Sequence, residues 1–306
     1  MNPQNGEVYA MVSNPVFNPE TLRADWGEIV ENEDSYLLNR STMGLYAPGS
    51  IFKVITATSS LEEDKIKKNF NCSGSTTIDG YTLNDYGKTA HGNLDLKEAL
   101  VKSCNVSFAE MGVQIGRDNL KKTAELYMLN NKIPFDLNTS KSQFSKDKMD
   151  DAELAATSIG QGKTLVTPLN MALVASAIAN DGQMMKPILV GEVKDHDGET
   201  VKINSTKPIS NVTSSVVSRE LKSMMVEVVN RGTGTNASIK NVRVAGKTGT
   251  AENETDKTHA WFIGFAPEQN PKFAIAVILE NNGSTGGSAA APIARDLFID
   301  AMNLLY

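Results

Sequence analysis

The stretch Tyr46–Ala57, YAPGSIFKVITA, places Ser50 and Lys53 three residues apart in an otherwise apolar run behind Pro48-Gly49. If a helix begins at Ser50, residues i and i+3 share one face and the ammonium lies over the hydroxyl. Ile51, Phe52, Val54 and Ile55 flank the pair, and a low dielectric depresses a lysine toward the neutral amine that can take a serine proton. A helix N-terminus adds a partial positive field and a backbone N–H that can hold a developing oxyanion. Taken alone, a serine at a helix start with a snorkelling lysine is the better reading, because SxxK is common by chance.

Two further segments bear polar residues of the same kind. Ser103-Cys104-Asn105 supplies a second hydroxyl that can relay a proton and an amide that can hold a carbonyl or the lysine. Such residues also fill helix–helix turns routinely. Val244–Glu252, VAGKTGTAE, puts Lys247, Thr248, Gly249 and Thr250 on a strand. A phosphate-loop reading of GKT fails, because GxxxxGK[ST] needs glycine where Asn241 stands, and a strand follows instead of a helix. The segment suits an extended peptide: Gly249 lets a backbone approach, and Lys247 with the hydroxyls faces an anion.

The elements that must position these groups follow from pattern. Glu7–Ser13 alternates as a strand, and residues 14–46 read as a long irregular connection. A helix spans Ser50–Leu61, and residues 69–93 form loops with short strands. Leu94–Lys102 and Val106–Ile115 read as helices on either side of Ser103-Cys104-Asn105, and Asp118 caps a further one to about Leu129. Thr167-Pro168 opens a long apolar helix with Gly182 past its end. Ile188–Ile203 is a hairpin on Asp197-Gly198, and a helix runs from Thr213 to about Asn230. Val242–Ala251, His259–Ala266 and Phe273–Glu280 read as strands, and Ala290–Leu305 as the last helix. Short connections make the late strands antiparallel. The fold class is α+β: an antiparallel sheet of about five strands flanked by helices, with a helical subdomain inserted after the first strand.

Composition narrows the function classes. The 306 residues are 40% hydrophobic and 22% charged with a net charge of −6, so no basic nucleic-acid footprint is expected. No run of ~18 apolar residues marks a membrane span, and the N-terminus lacks a signal-peptide pattern. Cys72 and Cys104 are the two cysteines, and a disulfide or two free thiols are equally open. Metal-ligand spacing such as CxxC is absent, and His91, His196 and His259 are far apart. This argues against a zinc site, although residues distant in the chain can still meet. The expectation is no metal and no cofactor.

The ordered set SxxK, SxN and KTG, spaced by about fifty and then about 140 residues, resembles the transpeptidase domain of penicillin-binding proteins, particularly the high-molecular-weight class B type. MNPQNGEVYAMVSNPVFNP, SIGQGKTLVTPLNMALVASAIANDG, VVNRGTGTNA and HAWFIGFAP extend the likeness over residues 1–306. It implies a β-lactamase/transpeptidase-like fold in one domain, with a sheet subdomain of about 1–48 and 185–306 and a mainly helical one of about 49–184. It also implies peptidoglycan D,D-transpeptidation. Ser50 is then the acylated nucleophile, Lys53 its general base, Ser103 the proton relay and Asn105 the group orienting substrate and lysine. Lys247 raises the positive potential, Thr248, Gly249 and Thr250 bind substrate, and the backbone N–H groups of Ser50 and Thr250 form the oxyanion hole.

The implied partners are donor and acceptor stem peptides, β-lactams and other cell-wall synthesis proteins. The implied location is the extracytoplasmic face of a bacterial membrane, with an upstream domain and anchor outside this chain. Gln161 is read equally as a substrate contact or a turn residue, and Trp261, Phe262 and Cys104 as packing residues. His259 lacks a carboxylate partner for a Ser-His-Asp triad. Competing readings are a D,D-carboxypeptidase, a serine β-lactamase and a non-catalytic β-lactam sensor. No ExxLN segment of a class A lactamase precedes KTG, and Asn105 stands where a class D lactamase has valine. Asp150, Asp151 and Glu153 read as a helix start rather than a deacylation loop.

Overall fold

The computed structural model describes residues 1–63, 65–145, 148–253 and 257–305. His259–Ala266 is the central strand of the sheet, with Ala245–Ala251 on one side and Phe273–Leu279 on the other, all antiparallel. The central strand reads HAWFIGFA and is buried along its whole length, as expected of a continuous apolar run. Its alternate side chains enter two cores. Trp261, Ile263 and Phe265 join the larger one, while Phe262 and Ala266 pack with Phe298 of the C-terminal helix Ala291–Leu305. The sheet is therefore covered by helices on both faces.

Helix Pro168–Ala179 packs on the central and outer strands. Thr167 caps it, its hydroxyl accepting from the Asn170 N–H at 3.2 Å, and Pro168 opens it; both were legible in sequence. The helix is apolar around its circumference because it is buried on nearly all sides. Helix Ser215–Arg231, capped by Ser214, packs on the Ala245–Ala251 strand. The region between the Gly49–Phe52 turn and residue 184 is mainly helical. It carries two small antiparallel pairs, Asn69–Cys72 with Gly92–Asp95 and Ser75–Ile78 with Tyr81–Asn84.

Four expectations need correction. The central sheet has three strands among the described residues, not about five. The N-terminal segment forms no regular strand: Met1 and Ala274 exchange two backbone hydrogen bonds of 2.9 and 2.8 Å, and Glu7 makes one bridge to Ile188. Tyr9 and Val12 are exposed, so its alternation has no apolar face to bury. The expected hairpin forms, as Glu192–Lys194 with Thr200–Ile203, but stands apart from the sheet with every residue exposed. Finally, helix Arg117–Leu126 is entered from Gly116, and Asp118 lies in its first turn, where a negative charge suits the dipole.

Candidate active site

Ser50 lies in a single 3-10 turn, Gly49–Phe52, that runs directly into helix Lys53–Leu61. The turn is tighter than the α-helical start expected from sequence. With three residues per turn, side chains at i and i+3 eclipse, and the Lys53 N–H is bonded to the Ser50 carbonyl. Ser50 is half-buried and Lys53 is wholly buried.

Two close approaches hold this turn. Gly49 adopts φ 55°, and its N–H donates to the Gly160 carbonyl at 2.9 Å. A Cβ on Gly160 would lie 2.0 Å from the Gly49 oxygen, so the first glycine of Gly160-Gln161-Gly162 braces the backbone just before Ser50. On the other side, a Cβ on Gly249 would lie 2.9 Å from the Pro48 carbonyl. The Trp261 indole adds a hydrogen bond to the Ala47 carbonyl at 3.0 Å. Strand Ala245–Ala251 is thereby pressed against the segment that carries Ser50.

Ser103 ends helix Leu96–Lys102 in the left-handed region, φ 57° and ψ 35°, which non-glycine residues seldom occupy. The turn is closed by the Ser103 N–H on Leu100 O at 3.1 Å and the Cys104 N–H on Ala99 O at 2.9 Å. It aims both Ser103 oxygens at lysines. Lys53 Nζ donates to Ser103 O at 2.6 Å and Asn105 Oδ1 at 2.7 Å, with Ser103 Oγ at 3.4 Å. Lys247 Nζ donates to Ser103 Oγ at 2.8 Å and Thr248 O at 2.9 Å. All three motifs thus converge on one hydroxyl.

Charge in this cluster is costly. Burial lowers Lys53 to about 8, opposed by the nearby Asp85 and Cys104. Burial and then the neighbouring Lys53 charge take Lys247 well below the usual lysine range. Two buried ammoniums around one half-buried hydroxyl do not both hold their protons firmly. A neutral Lys53 has two N–H bonds. The short contacts to Ser103 O and Asn105 Oδ1 use both and leave its lone pair free.

The remaining predicted residues continue the line. Thr248 Oγ1 lies 2.6 Å from Thr233 Oγ1, and Thr250 Oγ1 accepts the Gly286 N–H at 3.3 Å. Thr233 belongs to the RGTGT segment that carried part of the family resemblance, so it could have been singled out. Asp85 could not. Its Oδ1 accepts the Asn105 N–H at 3.2 Å, while Asn105 Nδ2 donates to Asn84 O at 3.0 Å, fixing the amide. Nothing in a single sequence ties Asp85 to Asn105. Trp261 and Phe262 are core residues, as expected. Burial pushes the Cys104 thiol up, so it is a poor nucleophile. His259 packs edge-on to Tyr46 and accepts the Asn281 N–H at 3.1 Å, apart from the lysine cluster.

The sequence reading against a zinc site rests on spacing, which does not reveal how the fold groups these residues. Cys72, Asp85, His91 and Cys104 come from four separate elements, yet their ligand atoms all lie within 4.8 Å of one another. Both cysteines are free thiols. Sequence spacing missed the group because the fold, not a local motif, assembles it.

Comparison with known proteins gives these contacts a context. The family described as "Penicillin binding protein transpeptidase domain" matches residues 1–298. The chain is 37% identical over 318 residues to the peptidoglycan D,D-transpeptidase PbpA of Mycolicibacterium smegmatis, covering 96% of this chain and 64% of that protein. It is 33% identical over 317 residues to the stage V sporulation protein D of Bacillus subtilis, covering 99% and 48%. Among solved structures, the ceftriaxone acyl-enzyme complex of penicillin-binding protein A from M. tuberculosis matches with a TM-score of 0.92 at 34% identity, covering 99% and 73%. The chain thus spans 64% or less of the length of these two curated relatives. Since the family match runs from the first residue into the last helix and takes in Ser50, Ser103 and Lys247 alike, the chain belongs to the penicillin-binding protein transpeptidase domain family.

Proposed function

We propose that this chain is the catalytic domain of a peptidoglycan D,D-transpeptidase that works through an acyl-enzyme on Ser50 and is inhibited covalently by β-lactams. The observation that carries the reading is the fully buried Lys53, one turn from Ser50, with both hydrogens of its neutral form engaged. The free lone pair takes the Ser50 proton as Oγ attacks the penultimate D-Ala carbonyl. The N–H groups of Ser50 and Thr250 receive the oxyanion. Collapse breaks the amide, and the departing D-Ala amine collects its proton through Ser103. An amine from a second stem peptide then attacks the ester, restores Ser50 and leaves a new amide. The relatives' names support this reading: PbpA of M. smegmatis is a peptidoglycan D,D-transpeptidase, and its M. tuberculosis counterpart forms a ceftriaxone acyl-enzyme.

Substrate also sets the protonation of the pair. A terminal carboxylate beside Lys247, Thr248 and Thr250 favours charge on Lys247, and charge there disfavours charge on Lys53. Docking would thus sharpen Lys53 as a base. We place stem peptides and β-lactams as ligands of this domain. Other cell-wall synthesis proteins are inferred as further partners, and the inferred location is the extracytoplasmic face of a bacterial membrane. Among the described residues, no helix is long and apolar enough to cross a membrane.

Turnover of a D-Ala-D-Ala-terminated donor, with and without an added amine acceptor, tests the reading. The expected result is an aminolysis product that grows with acceptor concentration at the expense of hydrolysis. Hydrolysis indifferent to acceptor would make the chain a carboxypeptidase. Covalent labelling by β-lactams with no donor turnover would make it a sensor.

A further inference from the structure

We propose that the cavity at the Glu252 end of strand Ala245–Ala251 holds the side-chain amine of the donor stem peptide, with Glu252 as its carboxylate partner. The inference rests on the transpeptidase reading and names the part of the donor that this site selects. The cavity, of about 490 Å³, is lined in part by Leu45, Ala47, Gly162, Leu165, Glu252 and His259. Ala47 lies three residues before Ser50, and Gly162 belongs to the Gly160-Gln161-Gly162 turn beside Gly49. Glu252 follows the last residue of the strand. The cavity thus adjoins the nucleophile, yet no step of the acyl transfer uses it.

Direction along the strand follows from the chemistry at its other end. Lys247, Thr248 and Thr250 take the terminal carboxylate, and the Thr250 N–H takes the oxygen of the scissile carbonyl. A donor held in this way has its carboxyl end toward Lys247 and its earlier residues beyond Thr250. An extended peptide advances ~3.3–3.6 Å per residue, close to the rise of the strand beside it. From a carboxylate level with residues 248–250, three residues span about 10 Å. That brings the third residue from the donor's carboxyl end beside Glu252.

The reaction identifies the side chain that arrives there. A cross-link forms when an amine of one stem peptide attacks the acyl-enzyme of another, so stems that serve in turn as donor and acceptor each carry one. In the donor that amine is unused and, as a primary alkylamine, charged at neutral pH. The cavity offers a counter-charge. Among the described residues its lining holds a single carboxylate and no lysine or arginine. Glu252 is exposed and has no ion-pair partner among the described residues. Glu280, which accepts from the Tyr46 hydroxyl, is already paired with Arg40.

Burial holds His259 below the usual imidazole range, against the pull of Glu280, and its Nδ1 accepts the Asn281 N–H at 3.1 Å. The imidazole therefore adds no competing positive charge. Leu45, Ala47 and Leu165 give the methylene chain an apolar wall, as suits a long side chain with a charged end. An ion pair with Glu252 also keeps the amine protonated. An ammonium has no lone pair with which to attack the donor's own ester.

Release of D-Ala from two donors tests the site. One carries lysine as the third residue from its carboxyl end and the other Nε-acetyl-lysine, each with a fixed excess of glycine as acceptor. The free amine is expected to raise kcat/KM roughly two- to fivefold, the size of an exposed ion pair, and the gain should shrink as ionic strength rises. Glu252→Gln should bring the two donors level, and Glu252→Lys should reverse the preference. His196→Ala, in the exposed Asp195-His196-Asp197 group, should keep it. Equal release from both donors by the unaltered protein, or a preference that survives Glu252→Gln, overturns the proposal and leaves transpeptidation standing. No release from either donor counts instead against the transpeptidase reading. Acylation by two penicillins, whose acyl chains end in an amine or in a methyl group, then decides the proposal. A faster rate for the amine that depends on Glu252 upholds it, and equal rates overturn it.

Discussion

Replacing Lys53 by alanine is expected to lower the rate of β-lactam acylation by ~10²–10⁴-fold or more while the protein stays folded. The size follows from the burial of the amine. At a pKa of about 8, about a tenth of the Lys53 side chains are neutral at pH 7, against well under one in a thousand for an ordinary lysine. The sign follows from the same shift. The base must be neutral, so acylation of the unaltered protein should rise about tenfold per pH unit below 8 and flatten above it. The variant should lose that slope. Removing Lys53 leaves the partly buried Ser103 O and Asn105 Oδ1 without their donor, at up to ~1–3 kcal/mol each. The same change relieves the burial of a charge, and Lys53→Met, which keeps most of the volume, separates the two effects. Stopped-flow acylation read beside thermal melting is the check. A variant that acylates at an unchanged rate would remove Lys53 from the mechanism.

The second large effect concerns what happens after acylation. The penicillin acyl-enzyme should persist for many minutes or longer, a release on the order of 10³-fold or more slower than typical enzyme turnover. Hydrolysis needs a base poised over water at the ester, and Asp150 and Asp85 are engaged elsewhere. Asp150 caps helix Asp151–Ser158 by accepting the Glu153 N–H at 2.7 Å. Asp85 lies behind Asn105, held below the ordinary carboxyl range. Burial would raise it, but bonds from Cys104, the Asn105 N–H, Cys72 and the Tyr86 N–H outweigh that. Time-resolved absorbance and intact mass distinguish the outcomes. Rapid multiple turnover of penicillin would place the chain among the β-lactamases.

How much of this was legible in the sequence depended on how local the determining physics is. Helix Pro168–Ala179 was readable because its start rests on Thr167 and Pro168 and its burial on its own composition. Strand His259–Ala266 was readable as a continuous apolar run. Glu7–Ser13 misled because alternation specifies a strand only when a partner edge and a core face are available, and here the strand-like pairing, among the described residues, stops at the single Glu7–Ile188 bridge. The reactive residues were legible as types and spacings, but their convergence was not. The contact of Lys247 with Ser103 spans 144 residues. The 3-10 turn at Ser50 is likewise imposed from outside, by Gly160 and by the strand at Gly249. Asp85, Cys72 and His91 came from a segment that read only as loops and short strands, and tertiary packing alone brings them together.

The central claim is that Ser50 is the acylated nucleophile. Peptide mapping by mass spectrometry after brief exposure to a penicillin tests it most directly. A single adduct per chain on the peptide containing Ser50, absent from Ser50→Ala and undiminished in Cys104→Ala, is the predicted result. An adduct on Ser103, on Cys104 or on any residue outside the Gly49–Phe52 turn would contradict the account.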